Sequence, residues 1–207
     1  MRISTGKFKN KKLYFPRGIR PTQNLVRKAV FDILGDISGL SFLDLFAGSG
    51  AVGFEALSRG ASELVLVELN RDCVDAIKKN ISILGNPPCD LIHIHAQKAV
   101  KILHQRGKTF DLIFLDPPYY KIKINASDDP NPLVPVVPDL DAEGQSNGPL
   151  AKKILQTLEA YDILSPNGLI IVQRFKNEEL PQEMPGLVLV KEAKYGDTRL
   201  SIFQKKE

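Results

Sequence analysis

A regular alternation of short apolar runs and amphipathic stretches begins at residue 41, and it limits the folds open to this chain. Short apolar runs are typical of buried strands, whereas apolar residues three and four apart are typical of helices. The predicted strands are 41–46, 63–68, 91–95, 110–115 and 168–174. The predicted helices are 50–58, 70–84, 97–105 and 149–162. This order indicates an α/β fold with a parallel sheet and helices on both faces.

The two ends of the chain add further elements. Residues 1–19 alternate apolar and polar side chains and predict a short β-hairpin. Thr22 is the predicted N-cap of a helix that runs from residue 23 to 34, with Arg27 facing solvent. From residue 188 to 203 we expect two more strands joined by a tight turn.

Charge is distributed unevenly along the chain. Residues 1–30 contain nine lysines or arginines and no acid, so the remainder carries 19 basic and 24 acidic residues, a net charge of −5. A basic arm on an acidic body indicates a polyanionic partner bound mainly by the arm. The alternative is a solvated basic hairpin that only aids solubility. We divide the chain into a basic extension at 1–35 and a main domain at 36–207.

Residues 121–149 interrupt the alternation. They include five prolines and five acidic residues among small polar ones, which predicts a long, mobile surface loop. The loop follows the Asp116–Tyr119 turn directly and could cover a site there. A tolerated insertion without a role is at least as good an interpretation.

Composition excludes several classes of protein. The 207 residues contain no apolar stretch of about 18, so no membrane span is predicted. The N-terminus is polar and basic and does not resemble a secretory signal. Cys73 and Cys89 cannot form a disulfide framework and lack the spacing of metal ligands. We therefore expect a cytoplasmic protein without a metal site.

A glycine-rich turn follows the first apolar strand. Gly48, Gly50 and Gly53 satisfy the pattern G-x-G-x-x-G, which also occurs where a helix packs closely on a sheet. Asp44 would repel the pyrophosphate of a dinucleotide, but it would suit the ammonium or sulfonium of S-adenosylmethionine. Glu68 ends the next strand and could accept hydrogen bonds from the ribose hydroxyls of either cofactor.

The strand at 110–115 ends in Asp116-Pro117-Pro118-Tyr119. Two prolines stop the strand and fix the backbone where a carboxylate and an aromatic ring emerge. An aromatic face beside a hydrogen-bond acceptor suits a flat base that carries an exocyclic amino group.

Together these blocks resemble the RsmD family of bacterial 16S rRNA guanine-N2 methyltransferases, which use S-adenosylmethionine. The matching segments are Arg20-Pro21-Thr22, Val26-Arg27, Asp44 to Gly50, Glu55 to Ala61, Asp116 to Tyr119, and Tyr195 to Thr198. They cover nearly the whole chain in order. The resemblance implies a class I methyltransferase with a Rossmann-like, seven-stranded mixed sheet whose last strand runs antiparallel. It also favours a monomer.

The resemblance implies a cofactor site and a catalytic turn. The expected cofactor residues are Asp44, Phe46, Ala47, Gly48, Ser49, Gly50, Glu68, Leu69, His95, Ala96 and Asp116. His95 replaces the family's usual Asp or Asn; a neutral imidazole can accept the same hydrogen bond, or His95 is a simple strand-end residue. The expected catalytic residues are Asp116, Pro117, Pro118 and Tyr119.

The same resemblance suggests a mechanism and a partner. We expect direct methyl transfer to a guanine amino nitrogen whose N–H groups are accepted by Asp116 and the Pro117 carbonyl, with Tyr119 stacked on the base. The partner is 16S rRNA, within a small-subunit particle. The expected RNA contacts are Arg2, Lys7, Lys9, Lys11, Lys12, Arg17, Arg20 and Thr22.

Three alternatives stay open at this point. An amino-methyltransferase acting on adenine or cytosine would use the same Asp-Pro-Pro-Tyr turn. A nicotinamide-dependent oxidoreductase would use the glycine turn, although Asp44 argues against it. A non-catalytic RNA-binding or assembly factor could retain the fold, although the complete turn argues against that.

Overall fold

The strand–helix alternation folds around a single mixed sheet. The computed structural model describes residues 1–16, 24–118 and 150–206. The strands are β1 (Ser41–Asp44), β2 (Glu63–Glu68), β3 (Asp90–His93), β4 (Phe110–Leu115), β5 (Leu164–Phe175), β6 (Leu187–Tyr195) and β7 (Thr198–Lys205). The helices are α1 (Asn24–Leu34), α2 (Ala51–Ser58), α3 (Arg71–Ile83), α4 (Ala96–Gln105) and α5 (Leu150–Tyr161).

Within the described residues the sheet has seven strands in the order β3-β2-β1-β4-β5-β7-β6. The pairs among β1 to β5 are parallel, and β7 is antiparallel to both of its neighbours. This confirms the predicted sheet and its antiparallel last strand. The chain moves outward from β1 to β3 and then returns to β4 on the other side of β1. Open α/β sheets bind ligands at such a reversal, beyond the carboxyl ends of the strands.

Each face of the sheet has its own core, which confirms the predicted helices on both faces. The first core lies under α1, α2 and α3 and includes Phe42, Phe114 and Ile171. The second core lies under α4 and α5 and includes Leu43 and Ile113. Neighbouring residues alternate between the two cores because successive side chains of a strand point to opposite faces.

Several strand boundaries differ from the prediction, among them the end of β1, which lies at Asp44 and not at residue 46. β5 begins at Leu164 and not at residue 168. Pro166-Asn167-Gly168 interrupts the regular pairing of β5 with β4 but does not end the strand. β3 ends at His93, which pairs with Glu68, the last residue of β2. His95 therefore lies beyond the sheet, immediately before α4.

The N-terminal segment, residues 1–16, doubles back on itself. A single antiparallel bridge between Arg2 and Lys12 represents the predicted hairpin. Ile3, Phe8 and Leu13 are buried in the first core together with α1. The segment therefore packs against the same hydrophobic core as the sheet. Each helix in the described part of the chain is too short or too polar to span a lipid bilayer.

Arg27 corrects the expected orientation of α1. We predicted that it faces solvent, but the residue is 3% exposed and donates a hydrogen bond to the Arg2 carbonyl over 2.7 Å. Its Nε lies 3.9 Å from Glu55 Oε2. The periodicity of α1 identifies only the stripe that faces the sheet, whereas the N-terminal segment covers the helix from another side. The predicted N-cap, Thr22, lies outside the described residues.

Candidate active site

The three glycines of the pattern between β1 and α2, Gly48, Gly50 and Gly53, have different structural roles. Gly48 and Gly50 have positive φ angles of 55° and 81°, a conformation that favours glycine. Gly53 lies within α2, and a Cβ there would approach the Leu66 side chain to 2.5 Å. The third glycine of the pattern therefore allows α2 to pack against β2, and only the first two shape the turn.

Glu68 connects the end of β2 to this turn. Its Oε2 accepts from the Gly48 N–H over 2.7 Å, and its Oε1 accepts from the Leu69 and Asn70 N–H groups over 2.8 and 2.7 Å. Burial raises the pKa of Glu68 above its ordinary value, and these three hydrogen bonds oppose that rise. A carboxylate has about four acceptor positions, so backbone groups use most of them. The expected contact between Glu68 and ribose stays a prediction.

Asp44 is the most unusual carboxyl group of the site. It is 1% exposed at the end of β1, and its Oδ1 accepts from the Phe46 N–H over 3.3 Å. Within the described residues its Oδ2 has no hydrogen-bond partner. Burial, together with the nearby carboxylates of Asp116 and Glu68, raises the pKa of Asp44 to about 8. A buried acid with an open oxygen fits a cationic group, such as the ammonium of S-adenosylmethionine, because a cation favours the ionised form of Asp44; a pyrophosphate would disfavour that form.

The Asp-Pro-Pro turn lies on the other side of β1. Asp116 directly follows β4 and is half-buried, Pro117 is buried, and Pro118 is exposed. Asp116 is close enough to Asp44 to affect its pKa. The site thus combines three carboxyl groups at the carboxyl ends of adjacent strands in the order β2, β1, β4. Tyr119 lies outside the described residues.

The structure brings the other expected cofactor residues to the same edge of the sheet. They follow β1, β2 and β3 and are Phe46, Ala47, Ser49, Leu69, His95 and Ala96. The two residues of the turn, Ala47 and Ser49, are buried, whereas Leu69 is 38% exposed. The carboxyl ends of β1, β2, β3 and β4 therefore gather all the residues of the predicted cofactor set at one edge.

Asn80 is a residue that we did not predict. It is fully buried on α3, where its Oδ1 accepts from the Tyr14 N–H over 2.6 Å. Its Nδ2 donates to the Tyr14 and Ser49 carbonyls over 3.0 and 2.9 Å. One side chain therefore connects the N-terminal segment to the glycine turn. The available signal was a polar residue on the apolar stripe of α3, seven residues after Cys73.

Glu55 attaches the N-terminal segment to α2. It is fully buried, and Ser4 donates to it from both its N–H and its hydroxyl, over 2.8 and 2.5 Å. Burial would raise the pKa of Glu55, but the Ser4 hydrogen bonds, the charge of Arg27 and the hydrogen bond from Arg59 outweigh it and hold the pKa below its ordinary value. Ser58, one helical turn later, accepts from the Phe8 N–H over 2.9 Å. The run from Glu55 to Arg59 thus attaches the N-terminal segment to α2.

The basic side chains of the N-terminal segment face solvent. Those that the structure describes are Arg2, Lys7, Lys9, Lys11 and Lys12, and all are exposed. None of the five forms an ion pair with another described residue. Arg17, Arg20 and Thr22 lie outside the described residues. The five described cations are thus available to a polyanion.

This sheet order, the glycine turn after β1 and the Asp-Pro-Pro turn after β4 together define a class I methyltransferase. The family model for Conserved hypothetical protein 95 matches residues 1–128 and 146–204, and the chain belongs to this family. The predicted membership of the RsmD family is confirmed.

Curated relatives agree with this assignment. The chain is 29% identical to the putative rRNA methyltransferase YlbH from Bacillus subtilis, with 100% of both chains covered. It is 36% identical over 122 residues to the ribosomal RNA small subunit methyltransferase D from Escherichia coli. That match covers 58% of this chain and 60% of the Escherichia coli protein.

Solved structures share the fold. A putative methyltransferase, yhhF, from Escherichia coli has a TM-score of 0.76 and 27% identity, with 100% of this chain and 98% of that chain covered. The 16S rRNA N2 methyltransferase RsmC from T. thermophilus, in complex with AdoMet and guanosine, has a TM-score of 0.63 and 19% identity. The match covers 93% of this chain and 45% of that one, and it supports the fold alone.

Proposed function

We propose that this methyltransferase transfers a methyl group from S-adenosylmethionine to the exocyclic N2 of a guanine in bacterial 16S rRNA. The observation that carries the proposal is the position of Asp44 and Asp116 on adjacent strands at one edge of the sheet. One acid suits the cation of the cofactor, and the other suits the amino group of a base.

The cofactor side is supplied by β1 and β2. Asp44 would accept hydrogen bonds from the ammonium group with its open Oδ2, and the glycine turn held by Glu68 would allow the cofactor to approach the backbone. When bound, S-adenosylmethionine supplies an electrophilic methyl group on its sulfonium.

The substrate side is supplied by the Asp-Pro-Pro turn. A guanine amino group is a poor nucleophile because its lone pair is delocalised into the ring. Asp116 and the carbonyl of Pro117 would each accept one N–H, which directs the lone pair out of the ring plane and stabilises positive charge as it develops. Asp116 does not need to be a strong base, because the methylated amine loses its proton readily. Much of the rate enhancement would come from holding the amine in position next to the methyl group.

The exposed cations of the N-terminal segment support an RNA substrate. They would bind phosphates and position the RNA, whereas the base itself is selected at the Asp-Pro-Pro turn. Relatives that modify small-subunit rRNA support 16S rRNA as the substrate. We extend the proposal to a monomeric enzyme that acts on a small-subunit particle in the cytoplasm, and to Tyr119 as the residue that stacks on the base.

A methyl-transfer assay tests the proposal. Small-subunit RNA and particles without modifications would be incubated with the enzyme and radiolabelled cofactor, and nucleosides would then be identified by mass spectrometry. We expect N2-methylguanosine. Asp116→Ala should abolish transfer and leave cofactor binding nearly intact, whereas Asp111→Asn, at the far end of the same strand, should retain activity. Methylated adenine or cytosine as the product, or turnover by Asp116→Ala, would contradict the proposal.

A further inference from the structure

We propose that Gln173 on β5 accepts a hydrogen bond from the ring N1–H of the target guanine and thereby selects guanine over other bases with an amino group. The inference rests on the proposed function and deepens it, because it assigns a residue to the choice of base.

The sheet places Gln173 beside Asp116. Leu115, the last residue of β4, pairs with Val172 of β5, so Asp116 directly after β4 is the neighbour of Gln173 in the continued register. Such strands lie about 4.8 Å apart. Phe114 and Ile171 both belong to the first core, and alternation therefore directs Asp116 and Gln173 to that same face. The amino-group holder and Gln173 thus share one edge and one face of the sheet.

Gln173 is buried without a partner for its amide oxygen. The residue is 6% exposed, and among the described residues its Oε1 accepts no hydrogen bond. Its cross-strand partner on β7 is Leu200, which has no polar side-chain atom. Buried polar groups are nearly always hydrogen-bonded, so an open acceptor at this position indicates a ligand that donates. Among the described residues, Asp44 Oδ2 is the second buried side-chain oxygen without a partner, and it belongs to the proposed cofactor site.

Base chemistry makes this acceptor selective. In guanine one of the two ring nitrogens that flank the C2 amino group is N1–H, a donor; the other, N3, is an acceptor. In adenine and cytosine the ring nitrogen beside the amino group is an acceptor. With one N2–H accepted by Asp116, an adjacent Gln173 oxygen matches N1–H of guanine and would oppose a lone pair in the other two bases. Sites built to hydrogen-bond a substrate group discriminate strongly against analogues that lack it.

The test replaces the target guanine in small-subunit RNA by 2-aminopurine, which keeps the C2 amino group but has no N1–H. We expect the wild-type enzyme to prefer guanine by about tenfold or more in kcat/KM. Gln173→Leu, which removes the acceptor at similar volume, should lose most of this preference. Gln173→Glu retains an oxygen acceptor whether its carboxyl group is ionised or protonated, and it should keep the preference. Both variants should bind the cofactor as the wild type does, which separates base selection from misfolding.

The outcomes distinguish this inference from the proposed function. Methylation of adenine or cytosine by the wild type would overturn the proposed function, and with it this inference. Methylation of guanine N2 with an undiminished preference in Gln173→Leu would overturn the role of Gln173 alone. A preference that is lost in Gln173→Glu would also overturn it, because that variant retains the acceptor.

Discussion

The backbone N–H of Gly48 donates to Glu68 Oε2 over 2.7 Å, so the acid at the end of β2 holds the glycine turn that follows β1. The other carboxylate oxygen accepts from two backbone N–H groups. Glu68 is therefore a structural support of the turn in the state described, as well as a candidate ligand for the cofactor.

Glu68→Gln should disturb this turn. Because both oxygens accept from backbone N–H groups, the amide NH₂ of glutamine would have to face a donor. We expect a loss of roughly 1–3 kcal/mol in the free energy of unfolding and weaker cofactor binding, measured by urea denaturation and calorimetry. Glu63→Gln, at the start of the same strand, is the matched control. It breaks a partly exposed ion pair with Lys108 and should cost no more than about 1 kcal/mol. Equal effects of the two variants would argue against a supporting role for Glu68.

The raised pKa of Asp44 predicts a pH dependence of stability without cofactor. The ordinary pKa of the group is 3.8, and in the folded protein it is about 8. Between these values the unfolded chain has released the proton and the folded protein has retained it, so stability decreases as pH rises, by at most about 1.4 kcal/mol per pH unit. Asp44→Asn should remove this dependence and be more stable than the wild type at pH 8. The free energy of unfolding would be measured by urea denaturation from pH 5 to 8. The same pH dependence in both proteins would contradict the raised pKa of Asp44.

Cofactor affinity should depend on pH in the opposite direction. A bound ammonium favours the ionised form of Asp44, so binding must release a proton when the pH is below about 8. We expect affinity to fall by up to about tenfold per pH unit as the pH decreases from 7.5 to 6. Calorimetry in buffers of different ionisation enthalpy would detect the released proton. Binding without proton release at pH 7 would show that the ammonium does not pair with Asp44.

The sequence was sufficient to predict much of the fold and the residues that gather at the carboxyl ends of the strands. Strands β1, β2 and β4 are buried on both faces, and such strands appear in a sequence as uninterrupted apolar runs. The residues at their carboxyl ends could then be assigned to one edge. The antiparallel β7 came only from the family resemblance, and the order of the strands was not predicted, because no local pattern encodes which strands become neighbours.

What could not be predicted depends on contacts between distant parts of the chain. Asn80 bonds to Tyr14, 66 residues away, and Glu55 bonds to Ser4, 51 residues away. Arg27 looked like a solvent-facing residue because periodicity along α1 does not reveal a second covering segment. Gln173 gave no signal either, since a single polar residue in an apolar strand becomes informative only when its neighbours and burial are known.

Removal of the Glu55 carboxylate should release the N-terminal segment. Glu55→Ala leaves the donors of Ser4 and the buried charge of Arg27 without their acceptor, and we expect a loss of about 3–5 kcal/mol in the free energy of unfolding. Hydrogen exchange of residues 3–8 should accelerate more than exchange in β1. Asp32→Asn is the control, because its ion pair with Lys28 is exposed and should contribute little. Unchanged exchange in the segment would refute the attachment role.

Neutralising two lysines of the N-terminal segment should lower RNA affinity through phosphate contacts alone. In the Lys9→Gln, Lys11→Gln double variant, the salt dependence of log affinity should flatten by about 0.7–0.9 for each lysine that binds a phosphate. The preference for guanine should stay unchanged, because phosphate contacts do not select the base. Lys191→Gln with Lys194→Gln removes the same charge from exposed positions on the edge strand β6 and serves as the control. If both double variants flatten the salt dependence equally, RNA affinity depends on the net charge of the protein and not on phosphate contacts of the N-terminal segment.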